Sequence, residues 1–332
     1  MTARPPGKAL VLAVPSKGRL QDNAAAFFSR AGLELVASAR GYRGSLAGRQ
    51  NVEIAFLSAA DIVAALAAGD VHLGVTGEDL IRETIAEPER KAVLLAPLGF
   101  GHADVVVAVP KAWIDVRTMA DLEDVAAAFR ARRGERMRVA TKYVQLTRRF
   151  FAERHVTDYR IVESLGATEG APAAGKAELI VDITTTGATL AANALKTLDD
   201  GTILRSQANL VASLHANWSI EAREEARAIL SRIAAEEEAR TTREVFAVLP
   251  ALADPAFAAA LEKAMSANAA RLRYHGADGR ISLNCPKHKA APLADFLIAQ
   301  GAAHVCIAAQ DYVYSAKNPL YDKLIARLPP AR

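Results

Sequence analysis

The stretch VDITTTGATLAANAL, residues 181–195, interrupts an apolar run with threonines and a glycine before a second apolar run begins. Residues 181–183 have the pattern of the end of a buried strand, and residues 190–195 that of the first turns of a helix. The join between them offers hydroxyl groups, backbone amides and one position without a Cβ. Such strand–loop–helix joins bind anions, but an ordinary capped turn has the same composition. The stretch therefore predicts either a phosphate-binding loop or a simple turn.

The composition is that of a globular protein. A length of 332 residues predicts two or three domains, and a chain that is 51% hydrophobic and 23% charged can bury a core. Lys and Arg number 41 against 37 Asp and Glu, a formal net charge of +4. This excess is too small to indicate nucleic-acid binding, whereas small anionic substrates are compatible with it. We predict no nucleic-acid partner.

The cysteines and the N-terminal region indicate a cytoplasmic protein. Cys285 and Cys306 have no metal-ligand spacing, which favours reduced thiols in a cytosol. The apolar residues 9–14 end at Pro15, too soon for a signal peptide. No run approaches the roughly 20 apolar residues that cross a bilayer. We therefore predict a cytoplasmic location and no membrane partner.

Strands and helices alternate through the first two thirds of the chain. This alternation favours a mostly parallel sheet with helices on both faces. We predict two α/β lobes with a cleft between them: residues 1–100 with 187–215 form the first lobe, and residues 101–186 the second. The predicted strands are residues 9–14, 52–57, 71–75, 103–109, 137–140, 160–165 and 178–183.

The last third has a different pattern. Residues 219–240 predict a charged helix, and the remainder reads β-α-β-β-α-β, the ferredoxin-like order. This part carries no cluster of catalytic residue types. We predict that residues 219–332 form a linker helix and a C-terminal domain for regulation or assembly.

Four more polar stretches follow predicted strands, at the edge where open α/β sheets bind ligands. Lys17, Gly18 and Arg19 combine two cations with close backbone approach, while Tyr143 and Glu169 lie in later loops. Each stretch alone also fits a solvated loop or a capped turn. The four stretches are SKGRL (16–20), LGVTGED (73–79), ATKYVQLTRRFF (140–151) and GATEGAPAAGKAE (166–178).

The chain contains no recognisable set of nucleophile and base. GxSxG, HExxH and CxxC motifs are absent, and the seven histidines do not cluster. Threonines, carboxylates and scattered cations indicate instead a reaction driven by positioning and charge stabilisation on phosphorylated substrates.

Together these stretches resemble the ATP phosphoribosyltransferase family, the first enzyme of histidine biosynthesis. The resemblance covers about the first 215 residues, and the tail resembles the family's long form. It implies two periplasmic-binding-protein-like lobes and a ferredoxin-like (ACT-like) C-terminal domain. The motifs that carry it, in the family's order, are KGRL (17–20), HLGVTGED (72–79), ATKYVQLTRRFF (140–151), GATEGAP (166–172) and DITTTGATLAAN (182–193).

The chain departs from the family pattern at several positions. Ser58 stands where an Arg is common, and His72 replaces an Asp. Val144 replaces a Pro, and Lys176 and Glu178 replace a Leu and an Asp. The final stretch, YVYSAKNPLYDKLIARLPPAR, runs beyond the family's usual end.

The resemblance implies that N1 of the ATP adenine attacks C1 of phosphoribosyl pyrophosphate (PRPP), and that pyrophosphate leaves. Such a carbon develops oxocarbenium character. Asp182 and Glu169 are the implied catalytic residues, facing the ribose hydroxyls or a metal ion. The residues implied to wrap the 5-phosphate of PRPP are Thr185, Thr186, Gly187, Ala188, Thr189 and Leu190. Those implied for the ATP and pyrophosphate side are Lys17, Gly18, Arg19 and Tyr143.

The resemblance also implies partners. Mg²⁺ is the expected cofactor, because pyrophosphate leaves poorly without a divalent cation; its protein ligands stay open. Histidine is expected to inhibit through the C-terminal domain, and a homo-oligomer, dimer or hexamer, is expected. Two other hypotheses are a solute-binding protein and an inactive regulatory paralogue.

Overall fold

The computed structural model describes residues 9–38, 41–249, 255–276 and 278–330, and these ranges form three sheets. The N-terminal residues 1–8 and the hairpin residue Ala277 lie outside the described residues. The strands are β1 (Leu10–Pro15), β2 (Leu35–Ala37), β3 (Arg43–Leu46), β4 (Arg49–Leu57), β5 (Leu73–Gly77), β6 (Ala92–Pro97), β7 (Asp104–Pro110), β8 (Met137–Thr141), β9 (Tyr159–Glu163), β10 (Leu179–Thr184), β11 (Leu195–Leu204), β12 (Ala208–Ser213), β13 (Thr242–Val248), β14 (Arg271–His275), β15 (Arg280–Pro286) and β16 (Val305–Ala308).

The helices connect these strands. They are α1 (Gly18–Arg30), α2 (Ala59–Ala68), α3 (Glu78–Thr84), α4 (Pro88–Lys91), α5 (Met119–Arg133), α6 (Val144–Glu153), α7 (Ala188–Ala192), α8 (Ile220–Thr241), α9 (Pro255–Ala267), α10 (Ala290–Ala299) and α11 (Pro319–Ile325). Short 3₁₀ turns span Thr168–Gly170 and Lys287–Lys289. Within the described ranges, no helix combines the length and apolar character of a membrane span.

The first sheet has the strand order β2-β3-β4-β1-β5-β12-β6. β1 runs parallel to β4 and β5, so their carboxyl ends share one edge. β12 returns antiparallel between β5 and β6. Leu12, Ile54 and Leu73 are fully buried in this sheet. The parallel centre confirms the α/β prediction for this part of the chain.

The second sheet has the order β11-β7-β10-β8-β9. β10 is parallel to β8 and antiparallel to β7. Its core buries Val107, Val139, Phe151 and Val181 completely. The loops after β8 and β10 therefore emerge side by side at one edge of the sheet.

The segment after the threonines differs from its prediction. A helix was expected from residue 190 through residue 195, but α7 is a single turn that ends at Ala192, and Ala194 has φ +54°. β11 then pairs with β7, with Thr197 opposite Ala108, instead of returning to the first sheet. Its apolar side chains pack into the second core, which explains the pairing. Of the segment 187–215 assigned to the first lobe, only β12 joins the first sheet.

The third sheet has the order β14-β15-β13-β16, and every neighbouring pair is antiparallel. With α9 and α10 in the connections, this is the ferredoxin-like arrangement. Val245 and Ile281 of the sheet and Leu293 of α10 are fully buried between the sheet and the helices. The predicted α+β fold of the C-terminal part is confirmed.

The chain forms two compact units. The first comprises residues up to 27, 34–225 and from 324 onward, and it contains the first two sheets; the second comprises residues 28–33 and 226–323. Leu324 is fully buried, and the Arg327 guanidinium donates to the carbonyl of Glu89. The end of the tail thus belongs to the first unit. The division into two catalytic lobes and a regulatory domain stays a prediction.

Candidate active site

The threonine loop, defined here as residues 184–190, is a preformed turn at the end of β10. Gly187 has φ +76° and ψ −4°, a left-handed conformation that glycine adopts without strain. Its N–H donates to Oγ1 of Thr184 at 2.9 Å. Oγ1 of Thr185 donates to the carbonyl of His102 at 3.1 Å. The Leu190 side chain is buried, so this residue anchors the loop and can offer a ligand only its backbone.

The middle of the threonine loop is open to solvent. Thr186, Ala188 and Thr189 are exposed, and the N–H of Ala188 lies 3.4 Å from Oγ1 of Thr186. A Cβ built on Gly187 would meet no atom within 4 Å. Because α7 has only five residues, the anion-binding capacity of this loop lies in its amides and hydroxyls and not in a long helix dipole.

Two predicted catalytic carboxylates come together beside this loop. Asp182 is half-buried in β10, and the N–H of Ile183 donates to its Oδ1 at 2.8 Å. Burial raises the pKa of Asp182; that hydrogen bond and the Lys142 ammonium lower it, and the negative charge of Glu169 raises it. Glu169 lies in the 3₁₀ turn after β9. Lys142 and Glu169 are therefore the charged groups that act on the Asp182 carboxylate.

The KGRL stretch lies at the end of β1. Gly18 has φ +69° and begins α1, and Lys17 and Arg19 are exposed. Neither cation forms an ion pair with any residue that the structure describes. The stretch packs against Gly101, which lies where the chain crosses from the first sheet to the second. The two are so close that a Cβ built on Gly101 would lie 2.8 Å from Cδ2 of Leu20.

Tyr143, which precedes α6, is buried and hydrogen-bonded to α3. Its side chain is 1% exposed, and its hydroxyl donates to Oδ2 of Asp79 at 2.9 Å. Ser206 donates to the other oxygen of Asp79 at 2.8 Å. Burial, and next the Asp79 carboxylate, raise the pKa of Tyr143, so the phenol stays protonated. The hydroxyl of Tyr143 is enclosed in this contact, and the prediction that Tyr143 faces the ATP and pyrophosphate side stays a prediction.

A second contact joins α3 to α6. The carboxylate of Glu83 accepts hydrogen bonds from the N–H groups of Gln145, at 2.9 and 3.0 Å, and of Leu146, at 2.9 Å. Both amides belong to the first turn of α6, where the backbone N–H groups have no hydrogen-bond partner within the helix. The Glu83 carboxylate caps α6 from the neighbouring helix. The two sheets are therefore joined by α3 and α6 as well as by the chain itself.

The departures from the family motifs have local structural roles. Ser58 caps α2, accepting from the N–H of Asp61 at 3.2 Å. The buried His72 ring accepts from the N–H of Val11 at 3.1 Å through Nδ1 and lies 3.0 Å from the carbonyl of Asn217 through Nε2. Burial lowers the pKa of His72. Arg138 forms an ion pair with Glu178 at 2.6 Å.

The chain crosses between the first two sheets twice, through residues 98–104 and 204–208, defined here as the crossover segments. They are hydrogen-bonded to each other, with N–H of Ala103 donating to the carbonyl of Ser206 at 3.0 Å and N–H of Ala208 to that of Phe100 at 2.9 Å. A cavity of about 300 Å³ lies where they meet the threonine loop, and His102 and Arg205 line it.

Several residues of this region were missed by the sequence analysis. Asp79 and Lys142 lie within motifs that were selected, but nothing in the sequence assigned them a partner. His102 and Arg205 lie outside every motif, and no local pattern marks them. They reach the threonine loop only because the crossover segments pass it.

The carboxylates of the site fit a divalent cation that arrives with its substrate. Mg²⁺ is commonly held by one or two carboxylates together with substrate phosphates, and Asp182 and Glu169 are such a pair. No group of three or more His, Cys, Asp or Glu side chains suited to a metal exists among the described residues. The donor set matches a metal completed by phosphate oxygens.

Fold and site together define an α/β protein with a preformed, glycine-containing turn at the end of a strand. Comparison with known proteins specifies the family. The family model described as "ATP phosphoribosyltransferase" matches residues 58–235, more than half of the chain. The chain belongs to the ATP phosphoribosyltransferase family and is a pentosyltransferase of histidine biosynthesis.

Individual relatives agree with this assignment. The protein named ATP phosphoribosyltransferase from Afipia carboxidovorans is 59% identical over 320 residues, covering 96% of this chain and 98% of the relative. That of Nitrobacter winogradskyi is 59% identical over 319 residues, covering 95% and 97%. The similarity at this identity spans almost the whole chain, so it includes the C-terminal unit. The solute-binding hypothesis is set aside.

A solved structure has the same fold. The ATP phosphoribosyl transferase (HisG:HisZ) complex from Thermotoga maritima contains a chain that is 24% identical, with a TM-score of 0.52. The match covers 68% of this chain and 96% of that chain. It shows the fold of the matched part.

Proposed function

We propose that this chain transfers the phosphoribosyl group of PRPP to N1 of ATP, with release of pyrophosphate, at the edge of the second sheet where β10 ends. The observation that carries the proposal is the juxtaposition of Asp182 with the preformed threonine loop on one strand. A ribose phosphate needs both features, an anion-binding turn for its phosphate and a carboxylate for its hydroxyls.

The threonine loop binds the 5-phosphate of PRPP. Thr186 and Thr189 supply hydroxyls that can donate to the phosphate. Thr185, whose hydroxyl donates to the carbonyl of His102, takes part through its backbone amide, and the loop amides approach the phosphate without obstruction from a side chain at Gly187. Ala188 contributes its N–H, and Leu190 holds the loop to the core. A preformed turn loses little conformational freedom on binding, which favours affinity.

Asp182 and Glu169 act on the ribose. Their hydrogen bonds to the hydroxyls hold C1 in place, and their negative charge stabilises the cationic character that C1 develops as pyrophosphate departs. This role requires ionised carboxylates, although burial raises the pKa of Asp182. Lys142 lowers that pKa and so supports the ionised form.

Lys17 and Arg19 bind the phosphates of ATP or the departing pyrophosphate. Both are exposed and carry no competing ion pair among the described residues, and Gly18 allows the backbone to approach. Tyr143 contributes indirectly, by joining α6 to Asp79. Aligning adenine N1 with C1 is the main task of the protein, because the reaction needs no protein nucleophile.

Mg²⁺ is the cofactor that we assign. Asp182 and Glu169 would hold it together with phosphate oxygens, and when bound it neutralises the pyrophosphate leaving group. The experiment is a comparison of turnover in Mg²⁺ and after chelation. Turnover that survives full chelation would contradict this assignment.

Histidine is proposed as an inhibitor that binds the second unit. To bind the histidine zwitterion, a site needs a cation for its carboxylate and an anion for its ammonium group. A cavity of about 470 Å³ in this unit is lined by Glu238, Arg273 and Lys317 among other residues. An inhibitor acts here only if it binds one conformation or assembly better than another. Inhibition should therefore not be competitive with ATP or PRPP.

The histidine proposal is tested in the full chain. Arg273→Gln should weaken inhibition by histidine, whereas Arg132→Gln, on the exposed surface of α5, should leave it intact. A full-length enzyme indifferent to millimolar histidine would contradict the proposal. Truncation is a poor test, because the buried Leu324 at the end of the tail belongs to the first unit.

Assembly and location complete the proposal. The similar Thermotoga maritima protein is described as a complex, and we propose a homo-oligomer, dimer or hexamer, for this chain. We place the enzyme in the cytoplasm, where ATP and PRPP are substrates. Light scattering of the purified chain tests the oligomer, since a monomer at working concentration would contradict it.

The activity itself is tested by mixing ATP and PRPP with Mg²⁺ and following product absorbance. We expect turnover that requires both substrates. Omitting PRPP is the control for ATP hydrolysis. An enzyme that binds both substrates but forms no phosphoribosyl-ATP would favour the inactive-paralogue hypothesis.

A further inference from the structure

The cavity beside the threonine loop is lined by residues from three separate parts of the chain. Its volume is about 300 Å³. One wall is the end of β10, another is the first crossover segment with the start of β7, and the third is the second crossover segment. The lining residues include His102, Asp104, Thr184, Thr185, Arg205 and Ser206.

Backbone and hydroxyl hydrogen bonds hold these walls together. Thr184 lies opposite Asp104 in the antiparallel pairing of β10 with β7. Oγ1 of Thr185 donates to the carbonyl of His102 at 3.1 Å. The adjoining Ala103 donates to the carbonyl of Ser206 at 3.0 Å. The cavity is therefore a built feature of the crossover and not a gap between mobile surface chains.

Arg205 is the permanent cation of this cavity. Its side chain is exposed and forms no ion pair with any residue that the structure describes. Other arginines of the first unit are paired, such as Arg138 with Glu178 and Arg154 with Asp200. A guanidinium presents donors in a planar fork that matches phosphate oxygens. The unpaired Arg205 is thus available to an anionic ligand.

The backbone of Arg205 is held by its neighbour. Ser206 is 2% exposed; its hydroxyl donates to Oδ1 of Asp79 at 2.8 Å and accepts from the N–H of Asp79 at 3.0 Å. A fixed backbone at the next residue limits the positions that the guanidinium can reach. This lowers the entropy that is lost when the side chain binds.

We propose that Arg205 is a PRPP-binding residue that contacts a phosphate group of PRPP from the crossover segment, opposite the threonine loop. This inference rests on the proposed function, because it takes the threonine loop as the PRPP site. PRPP is favoured over ATP since Thr184 and Thr185 line the same cavity as Arg205. Asp104, the carboxylate on this wall, suits a ribose hydroxyl and disfavours a ligand that is all phosphate.

The test is steady-state kinetics of Arg205→Gln in the full-length enzyme. Loss of one charge-assisted contact corresponds to roughly a ten- to hundred-fold weaker interaction. We expect the KM for PRPP to rise by that factor, and the KM for ATP to stay within about twofold. Arg205→Lys keeps the charge without the planar fork and should restore part of the loss. Arg132→Gln, an equally exposed arginine of α5, is the matched control and should behave as wild type.

A second measurement does not require turnover. PRPP alone should raise the Tm of the wild-type protein by binding the folded state, and this shift should be lost in Arg205→Gln while the Tm without PRPP is unchanged. An unchanged KM and an unchanged PRPP shift in Arg205→Gln would overturn the inference, as would a rise confined to the KM for ATP. Failure of the proposed function is distinct, because then the wild-type enzyme itself would not convert ATP and PRPP.

Discussion

The hydroxyl of Tyr143 donates a 2.9 Å hydrogen bond to Oδ2 of Asp79, across 64 residues of sequence. Tyr143 precedes α6 and Asp79 lies in α3, so the bond joins helices that follow strands of two different sheets. Asp79 is also bonded to Ser206 of the second crossover segment. A single buried carboxylate thus connects three segments that position the site.

Tyr143→Phe should destabilise the protein while leaving the fold intact. The substitution keeps the ring and removes the hydroxyl, so a buried carboxylate loses one partner; such losses cost about 1–3 kcal/mol of the free energy of unfolding. Urea unfolding measures this. Tyr42→Phe is the control, because Tyr42 is 77% exposed and should change stability by less than about 0.5 kcal/mol. Equal stability of Tyr143→Phe and wild type would show that the bond is weak in solution.

Asp182→Asn should lower kcat/KM for PRPP with little change in stability. The substitution keeps the size of the side chain and removes its charge, which is worth roughly 1.5–3 kcal/mol in one charge-assisted contact. Steady-state kinetics with PRPP varied gives the value. Unchanged kinetics would assign Asp182 a structural role only.

The pH dependence of the activity tests whether the negative charge of Asp182 is required. Because burial raises its pKa, the carboxylate takes up a proton at a higher pH than an exposed Asp on acidification. Activity that needs the ionised form should fall with decreasing pH through that raised pKa. The Asp182→Asn variant should lack this acidic limb. If the decrease in activity at acidic pH persists in Asp182→Asn, it is caused by the titration of another group.

Gly187→Val should raise the KM for PRPP far more than that for ATP. The φ of +76° is unfavourable for a branched side chain, and the new methyl groups would enter the open space above the loop. Gly134→Val is the matched control: Gly134 has φ +71°, also with no atom within 4 Å of a built Cβ, but it ends α5 away from the loop. Gly134→Val should lower the free energy of unfolding without changing the KM for PRPP. Equal changes in both KM values for Gly187→Val would show that the loop does not hold PRPP.

His72 should make stability depend on pH on the acidic side of neutrality. Nδ1 accepts from the N–H of Val11, so the buried ring is neutral, and burial lowers its pKa. Below about pH 6.5 the unfolded chain then binds a proton that the folded chain excludes. The Tm should fall as pH decreases from about 6.5, and be insensitive to this group at higher pH.

His72→Asn tests this dependence. The amide oxygen can still accept from Val11, but the side chain does not titrate, so the difference in Tm between wild type and variant should narrow or reverse toward acidic pH. Thermal melts of both proteins at a series of pH values give this difference in Tm. The other histidines are the same in both proteins, so their contributions cancel. A difference that is constant from pH 7.5 to pH 5 would contradict the assignment.

Local sequence patterns predicted seven strands of the first unit, namely β1, β4, β5, β7, β8, β9 and β10, whereas β2, β3 and β6 were not predicted. Val181 and its neighbours form the end of a buried strand, and a glycine-containing turn follows it, as predicted. Both features are visible in the sequence because a buried strand needs apolar residues and a left-handed φ favours glycine. The C-terminal β-α-β-β-α-β order was predicted for the same reason. Asp182 and Glu169 were also selected from sequence; Asp182 lies in β10 and Glu169 in the 3₁₀ turn after β9, and their catalytic roles stay predictions.

Tertiary structure alone decided which elements meet. The sequence by itself predicted a helix from residue 190 through residue 195, and only packing against β7 and the second core made residues 195–204 the strand β11 of the second sheet. Tyr143 reads as a loop residue near a ligand, but burial against Asp79 gave its hydroxyl another partner. Arg205 carries no local signal at all. Periodicity and turn chemistry act over a few residues, whereas these contacts join residues far apart in the chain and depend on the completed sheets.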